Sequence, residues 1–265
     1  VPEGDTVHTA AAYLRKRLAG TTAQGGRVRH RPDIRLAGRR IDDVVARGKH
    51  LFVKFDDGTV LRSHLGMFGS WHRYRAGETW RRPARQAVIR IETGGEVYVC
   101  FNAKEVELLR AGGVSERRLA ARLGPDLIAD EVDPGDLAAR ARHFLPADML
   151  IADALLDQRP AAGIGNVYKC ELLFLGRTHP RTPLGAVSDE RLRRFYAEAR
   201  ALLRRNVGGG RRVTRFVRDG RGTTWVYGRL GMPCHECGSR VAYERLGRQW
   251  RSTYWCPECQ PAPAP

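Results

Sequence analysis

Nowhere in these 265 residues does an apolar run approach the roughly 20 residues that a membrane-spanning helix needs. No signal-peptide pattern opens the chain either, so a cytoplasmic protein of bacterial type, without membrane attachment, is expected. Internal repeats are absent, which argues against solenoids and propellers. Acidic residues are few: 29 Asp and Glu stand against 46 Lys and Arg, giving a net charge of +17 and a pI near 10.4. Such an excess implies a polyanionic partner, because cations that bind phosphates release condensed counterions. Arginine far outnumbers lysine, a bias that genome composition also produces, so charge alone is only a pointer to nucleic acid. The length allows two modest domains with a real core.

Cysteine is also sparse, with six in all. Cys100 and Cys170 sit singly in apolar patterns and read as buried core thiols. The other four form Cys234-x2-Cys237 and Cys256-x2-Cys259, with eighteen residues between the pairs. That spacing suits one structural zinc ion in a four-cysteine ribbon. Two disulfides are the alternative, disfavoured in a reducing compartment.

Patterning divides the chain. Val7, Ala10, Ala11, Leu14 and Leu18 recur at helical spacing after Asp5-Thr6, read as the N-cap, and Gly20 ends the helix. Strands are expected at 51–55 and 59–65 around Asp56-Asp57-Gly58, and at 87–91 and 96–101 around Gly94-Gly95. From about residue 116 the period turns helical, with segments near 116–123, 133–142, 147–158, 166–177 and 188–206. Residues 210–224 read as a mobile basic loop, and 241–245 with 249–255 as a hairpin closed by the cysteine pairs. The expected class is α+β: a β-sandwich led by a helix (1–115), a helical domain (116–220), the zinc hairpin (221–262) and a disordered tail (263–265).

The opening Val1-Pro2-Glu3-Gly4-Asp5 carries the most chemistry. If Val1 reads an initiator codon and is removed, Pro2 becomes a terminal secondary amine. An unperturbed α-amino group titrates at about 7.7–8.0, so much of it is neutral near physiological pH. Such an amine can attack an electrophilic carbon and form an imine-type intermediate, and Glu3 beside it suits proton transfer. The positive end of the following helix disfavours a protonated amine and favours a carboxylate. Proline in second place is also an ordinary start, so the case rests on the rest of the chain.

Other segments are individually weak. Gly163-Ile164-Gly165-Asn166 opens a helical run whose first N–H groups could face a phosphate, although it joins two helices and so does not read as a dinucleotide fold. Arg251 among Trp250, Tyr254 and Trp255 suits phosphate gripping, or is a solvated arginine. Met67 and Phe68, bracketed by Gly66 and Gly69, could wedge between stacked bases, but on pattern alone they read as core. Lys49 precedes the strand at 51–55 and would earn no comment in isolation.

In this order, Pro2-Glu3-Gly4, Gly48-Lys49, Gly163 to Tyr168, and Arg251 with the four cysteines resemble the formamidopyrimidine-DNA glycosylase / endonuclease VIII family over essentially the whole chain. The resemblance implies a β-sandwich facing a helix–two-turn–helix domain with a zinc finger, and a monomer that binds damaged double-stranded DNA in the cleft between. It makes Pro2 the nucleophile at C1′, Glu3 the proton donor to the sugar, and Lys49 the ligand of the phosphate beside the lesion. Asn166 and Arg251 would pinch phosphates, and Met67 and Phe68 would fill the gap left by the flipped base.

Where formamidopyrimidine enzymes carry an Arg-Arg-Phe cluster after the strand that here ends Cys100-Phe101, this chain reads Asn102-Ala103-Lys104, closer to the endonuclease VIII branch. A short loop before Trp225, the Gly4-Asp5 pair and the ending Tyr254-Trp255-Cys256-Pro257 lean the same way. The expected activity is excision of oxidised pyrimidines followed by strand cleavage through β,δ-elimination. An oxidised-purine enzyme and a zinc-ribbon DNA-binding protein without chemistry are the alternatives. One departure stands out: Thr6 occupies the place of the second glutamate of Pro-Glu-x-x-Glu, and Asp5 is a candidate substitute.

Overall fold

A computed structural model describes residues 1–263, so all of the tail expected at 263–265 except Pro263 lies outside the described residues. The chain separates into two compact units, Val1–Ala121 and Arg122–Pro265.

The first unit opens with α1 (Gly4–Leu18) and continues through β1 (Gly25–Val28), β2 (Ile41–Arg47), β3 (His50–Phe55), β4 (Thr59–His64), β5 (Ser70–Arg75), β6 (Ala87–Thr93), β7 (Glu96–Phe101) and β8 (Glu105–Arg110), ending in α2 (Val114–Ala121). The strands form two four-stranded antiparallel sheets, β1-β6-β7-β5 and β2-β3-β4-β8. Both sheets feed one core: Ile89, Ile91 and Cys100 from the first meet Val44, Leu51, Val53 and Leu61 from the second, with Val7, Leu14 and Leu18 of α1 in the same cluster. This is the expected sandwich with its leading helix. The β6–β7 turn matches its sequence signal, since Gly94 and Gly95 take φ of +58° and +77°, the left-handed pair that a two-residue hairpin favours. The start of α1 does not match: Val7 N donates to the Glu3 carbonyl at 3.0 Å, so the cap is Glu3 rather than Asp5 or Thr6.

The second unit holds α3 (Pro134–Phe144), α4 (Ile151–Ala154), α5 (Asn166–Leu175), α6 (Asp189–Arg205) and a hairpin of β9 (Ala242–Leu246) and β10 (Arg251–Trp255). Caps explain two helix starts: Asp133 accepts from Gly135 N at 2.6 Å ahead of Pro134, and Ser188 accepts from Arg191 N at 3.3 Å. On α6 the expected stripe of Leu192, Phe195, Ala199 and Leu202 is buried. The helix expected over 147–158 shrinks to one turn, because Leu150 pairs with Pro183 and Ile151 N donates to Thr182 O, bonds that compete with the helical ladder. The cysteine hairpin lies within this unit, while α2, expected to open the helical domain, belongs to the first. No helix of the described residues is long and apolar enough to cross a membrane.

Candidate functional site

At the start of the first unit Val1 is exposed and Pro2 half-buried, while Glu3 is only 1% exposed and Asp5 only 4%. The Glu3 side chain makes no capping bond to α1. Two carboxyl groups therefore sit buried in and beside the first helical turn, where the N-terminal partial positive charge stabilises them. Thr6, in contrast, points outward, with its hydroxyl 3.4 Å from Asp5 Oδ1.

Lys49 lies in the two-residue turn between β2 and β3, where Arg47 pairs with His50 and Gly48 supplies a φ of +58°. Sequence reasoning missed what surrounds it. Arg62, 4% exposed on β4, points Nη1 at His50 Nδ1 (2.9 Å), Nη2 at Glu105 Oε2 (2.9 Å) and Nε at Glu107 Oε2 (3.2 Å). A guanidinium only donates, so His50 Nδ1 must accept and its proton sits on Nε2. The His64 ring stands 4.9 Å from that of His50. Burial first, then the charges of His64, Arg62 and Lys49, push His50 down to about 3. Burial likewise lowers His64 to about 4 against the opposing pull of Glu105, with smaller downward pushes from Lys49, Lys104 and Arg62. Lys49 thus heads a strand end lined by two neutral imidazoles.

Between β4 and β5, Gly69 N donates to Leu65 O at 3.0 Å, and a Cβ on Gly69 would come within 2.3 Å of that oxygen. This tight turn pushes its middle outward: Met67 is 49% exposed and Phe68 is 70% exposed. The core reading of these residues is overturned. Two apolar side chains thus stand exposed on a glycine-bounded turn instead of filling the sandwich.

In the second unit the structure joins Asn166 to the arginine hairpin. Asn166 Nδ2 donates to Ser252 O at 2.7 Å, one residue past Arg251, whose guanidinium lies against Gln249 Oε1 at 2.9 and 3.1 Å. Asn166 Oδ1 is buried with no hydrogen-bond partner among the described residues. The turn before α5 is held by Gln158, which accepts from Gly163 N at 3.0 Å and donates to Ile164 O at 3.1 Å. Two buried charges on α5 also escaped sequence reasoning, their only signal being that they interrupt an apolar helix. Lys169 Nζ reaches Thr253 Oγ1 at 2.7 Å. Glu171 accepts from the backbone N–H of Trp225 (2.7 Å), Val226 (3.0 Å) and Tyr227 (2.8 Å), and from the Thr214 hydroxyl. The loop expected to be mobile is therefore pinned: Thr214 and Arg215 are buried, and both their N–H groups donate to Thr223 O.

None of the six cysteines is joined in a disulfide, so the disulfide alternative fails. The Sγ atoms of Cys234, Cys237, Cys256 and Cys259 lie within 4.8 Å of one another, with 3.9 Å between Cys234 and Cys259 and 3.4 Å between Cys237 and Cys256. A tetrahedral ion with metal–sulfur bonds of about 2.3 Å separates its sulfurs by about 3.8 Å, so the four fit one such ion. Hydrogen bonds from Ser239 hold the Cys237 thiol down, to about 6, which favours the ligating thiolate. Cys170 and Phe174 of α5 share a core with Val226, Val241, Cys234 and Cys256, so the cluster is seated on the same helix that carries Asn166. Cys100 and Cys170 are buried as expected.

Pro2, Glu3, Lys49, Met67 and Phe68 thus belong to one unit, and Asn166, Arg251 and the four clustered cysteines to the other. Comparison with known proteins gives two family matches: the formamidopyrimidine-DNA glycosylase N-terminal domain over residues 1–104, and the formamidopyrimidine-DNA glycosylase H2TH domain over 123–217. The chain is 40% identical to a probable endonuclease 8 2 of Streptomyces coelicolor, covering 100% of this chain and 96% of the relative. It is 38% identical to the DNA-(apurinic or apyrimidinic site) lyase Nei2 of Mycolicibacterium smegmatis, covering 99% and 100%. Among solved structures, Lactococcus lactis formamidopyrimidine-DNA glycosylase bound to abasic-site DNA superposes with a TM-score of 0.81 at 21% identity, over 98% of this chain and 100% of that one, a likeness of fold.

Proposed function

The chain belongs to the formamidopyrimidine-DNA glycosylase / endonuclease VIII family, on its endonuclease 8 side, and from that premise we propose a base-excision repair enzyme with DNA glycosylase and abasic-site lyase activity that acts on oxidised pyrimidines. It works as a monomer on damaged double-stranded DNA in the cytoplasm. The observation that carries the chemistry is Glu3: a carboxyl group 1% exposed, beside a half-buried proline, and left out of helix capping.

With Val1 removed, the Pro2 amine attacks C1′ of the flipped nucleotide. The C1′–N bond breaks, and the base leaves with a proton. Glu3 protonates the sugar ring oxygen as the ring opens, leaving an iminium between proline nitrogen and C1′. That cation acidifies C2′, and loss of a C2′ proton expels the 3′ phosphate. A second elimination expels the 5′ phosphate, and water releases Pro2. Asp5, buried two residues after Glu3, takes the place of the family's second glutamate, while outward-facing Thr6 does not. Lys49 holds the phosphate beside the lesion, and Met67 and Phe68 fill the vacated stack, which their exposure supports. Asn166 and Arg251, joined through Ser252, hold further phosphates. One structural zinc fits the four thiols and stiffens the hairpin.

Borohydride reduction in the presence of duplexes with single lesions tests this reading. A covalent adduct is expected with oxidised pyrimidines, and none after Pro2→Gly or N-terminal blocking. Adducts formed only with oxidised purines would move the substrate class, and full excision by protein that retains Val1 would end the proline mechanism.

A further inference from the structure

The connection between β5 and β6 has no part in the chemistry above, yet it is firmly built. On one face of its sheet, Tyr74, Val97, Val99 and Phe101 form a small core separate from the main one, and Trp80 packs onto it. Trp80 stacks on Tyr74 at 6.0 Å and meets Phe101 edge-on at 5.7 Å, while Arg81 N donates to the Tyr74 hydroxyl at 3.2 Å. At its other end the loop winds into a short turn, Ala84–Gln86, and Gln86 is clamped to Asn102 by backbone (2.9 Å) and side-chain (3.2 Å) hydrogen bonds. Between these anchors the loop presents Arg81, Arg82 and Arg85. Arg73 and Arg90 on the adjoining strands are paired with Glu96 and Glu92. None of the three loop guanidiniums has a carboxylate partner among the described residues. Arg29 adds a fourth cation by donating to the Arg85 carbonyl.

The strand register says where these charges stand. Phe101 pairs with both Ser70 and Ala87, so the end of the arginine loop lies at the same sheet end as the start of β5, just after Phe68. In the other sheet His50 pairs with His64, so Lys49 lies at the end where β4 leaves for the same turn. The Leu65–Gly69 turn crosses from one sheet to the other. The turn that carries the exposed Met67 and Phe68 therefore begins at the sheet end that holds Lys49 and finishes at the sheet end that holds the arginine loop.

We propose that Arg81, Arg82 and Arg85 form a phosphate-binding rim for the complementary strand, the one opposite the nucleotide whose phosphate Lys49 holds. The proposal rests on the DNA-repair reading above. Side chains that enter a base stack stand between the two backbones, so cations on their two sides meet different strands. Guanidinium forks match phosphate oxygens, and a loop already fixed by Trp80 and Gln86 loses little freedom on binding. Such contacts set register without reading sequence.

The test is a thermodynamic cycle with a duplex carrying an uncleavable abasic-site analogue. Neutral methylphosphonates replace three phosphates of the complementary strand facing the lesion, and Arg81, Arg82 and Arg85 are changed together to Ser. For wild type, binding should weaken at least tenfold on methylphosphonate replacement, and for the triple-Ser variant the replacement should make less than a twofold difference. The slope of log affinity against log salt should become shallower by up to about 2.7 in the variant, at about 0.9 per phosphate contact, and a triple-Lys variant should restore it. Equal sensitivity of wild type and the triple-Ser variant to the neutral linkages overturns the rim. If wild type cleaves lesion duplexes in the same preparation, only the rim falls; if it neither binds nor cleaves them, the repair reading falls with it.

Discussion

The two units bury charge in opposite ways. In the first, Arg62 is 4% exposed, but its partners Glu105 and Glu107 have side chains 42% and 54% exposed, and all three lie on strands that pair anyway. In the second, Glu171 and Lys169 are both 0% exposed, and they reach residues more than fifty positions away, at Trp225–Tyr227 and Thr253. The first arrangement tunes the electrostatics of a strand end beside Lys49. The second fastens a hairpin that has little core of its own to the helix carrying Asn166. A buried charge between sheet neighbours adjusts a site, whereas one between distant segments assembles it.

The sharpest way to break this contrast is to remove the hairpin's own closure. Cys237→Ser should release the metal and unfold the hairpin, because a structural zinc contributes on the order of 10 kcal/mol of folding free energy in small modules. Metal analysis and DNA binding would read it, and normal binding by metal-free protein would refute it. Next in size, Glu171→Leu strands three backbone N–H groups and a hydroxyl, and should cost about 3–5 kcal/mol in urea unfolding, with DNA binding lost alongside. Lys169→Met should cost about 1–3 kcal/mol and loosen the Thr253 side of the hairpin, seen as faster amide exchange at 251–255.

The first unit should respond instead to pH. His50 and His64 are held near 3 and 4 in the fold against an ordinary 6.5. Between those values the unfolded chain binds more protons, so stability rises with pH and is lost as pH falls below about 6.5. Denaturant midpoints should show that slope, and His50→Gln should flatten it; an unchanged slope would remove His50 from the account. The smallest effect is expected at the rim of the hairpin: Arg251→Ala should weaken binding by a similar few-fold factor for every lesion, and a selective loss would contradict a phosphate role.

Local signals were legible where one short stretch held all the information. The cysteine spacing, the Gly94-Gly95 turn and the stripe on α6 each needed only neighbours in sequence. Strands β1, β2, β5 and β8 were missed for identifiable reasons. The shift of pairing between Ile41 and Asp43 breaks the alternation of β2, β1 is four residues with two glycines, and β5 and β8 bury little on either face. Met67 and Phe68 were ambiguous because their type suits a core and only the close approach of Gly69 to Leu65 turns them outward.

The sequence by itself determined the reactive pieces: a proline followed by a glutamate, a glycine–lysine turn, four thiols at ligand spacing and a cationic surface, since each depends on residue type and short-range order. Only the tertiary structure decided that Glu3 and Asp5 are buried while Thr6 is not, that Asn166 meets Arg251 through Ser252, and that Glu171 holds residues 225–227. Burial and long-range hydrogen bonds arise from how sheets and helices pack, and no local pattern of side chains encodes which distant backbone group will need a partner.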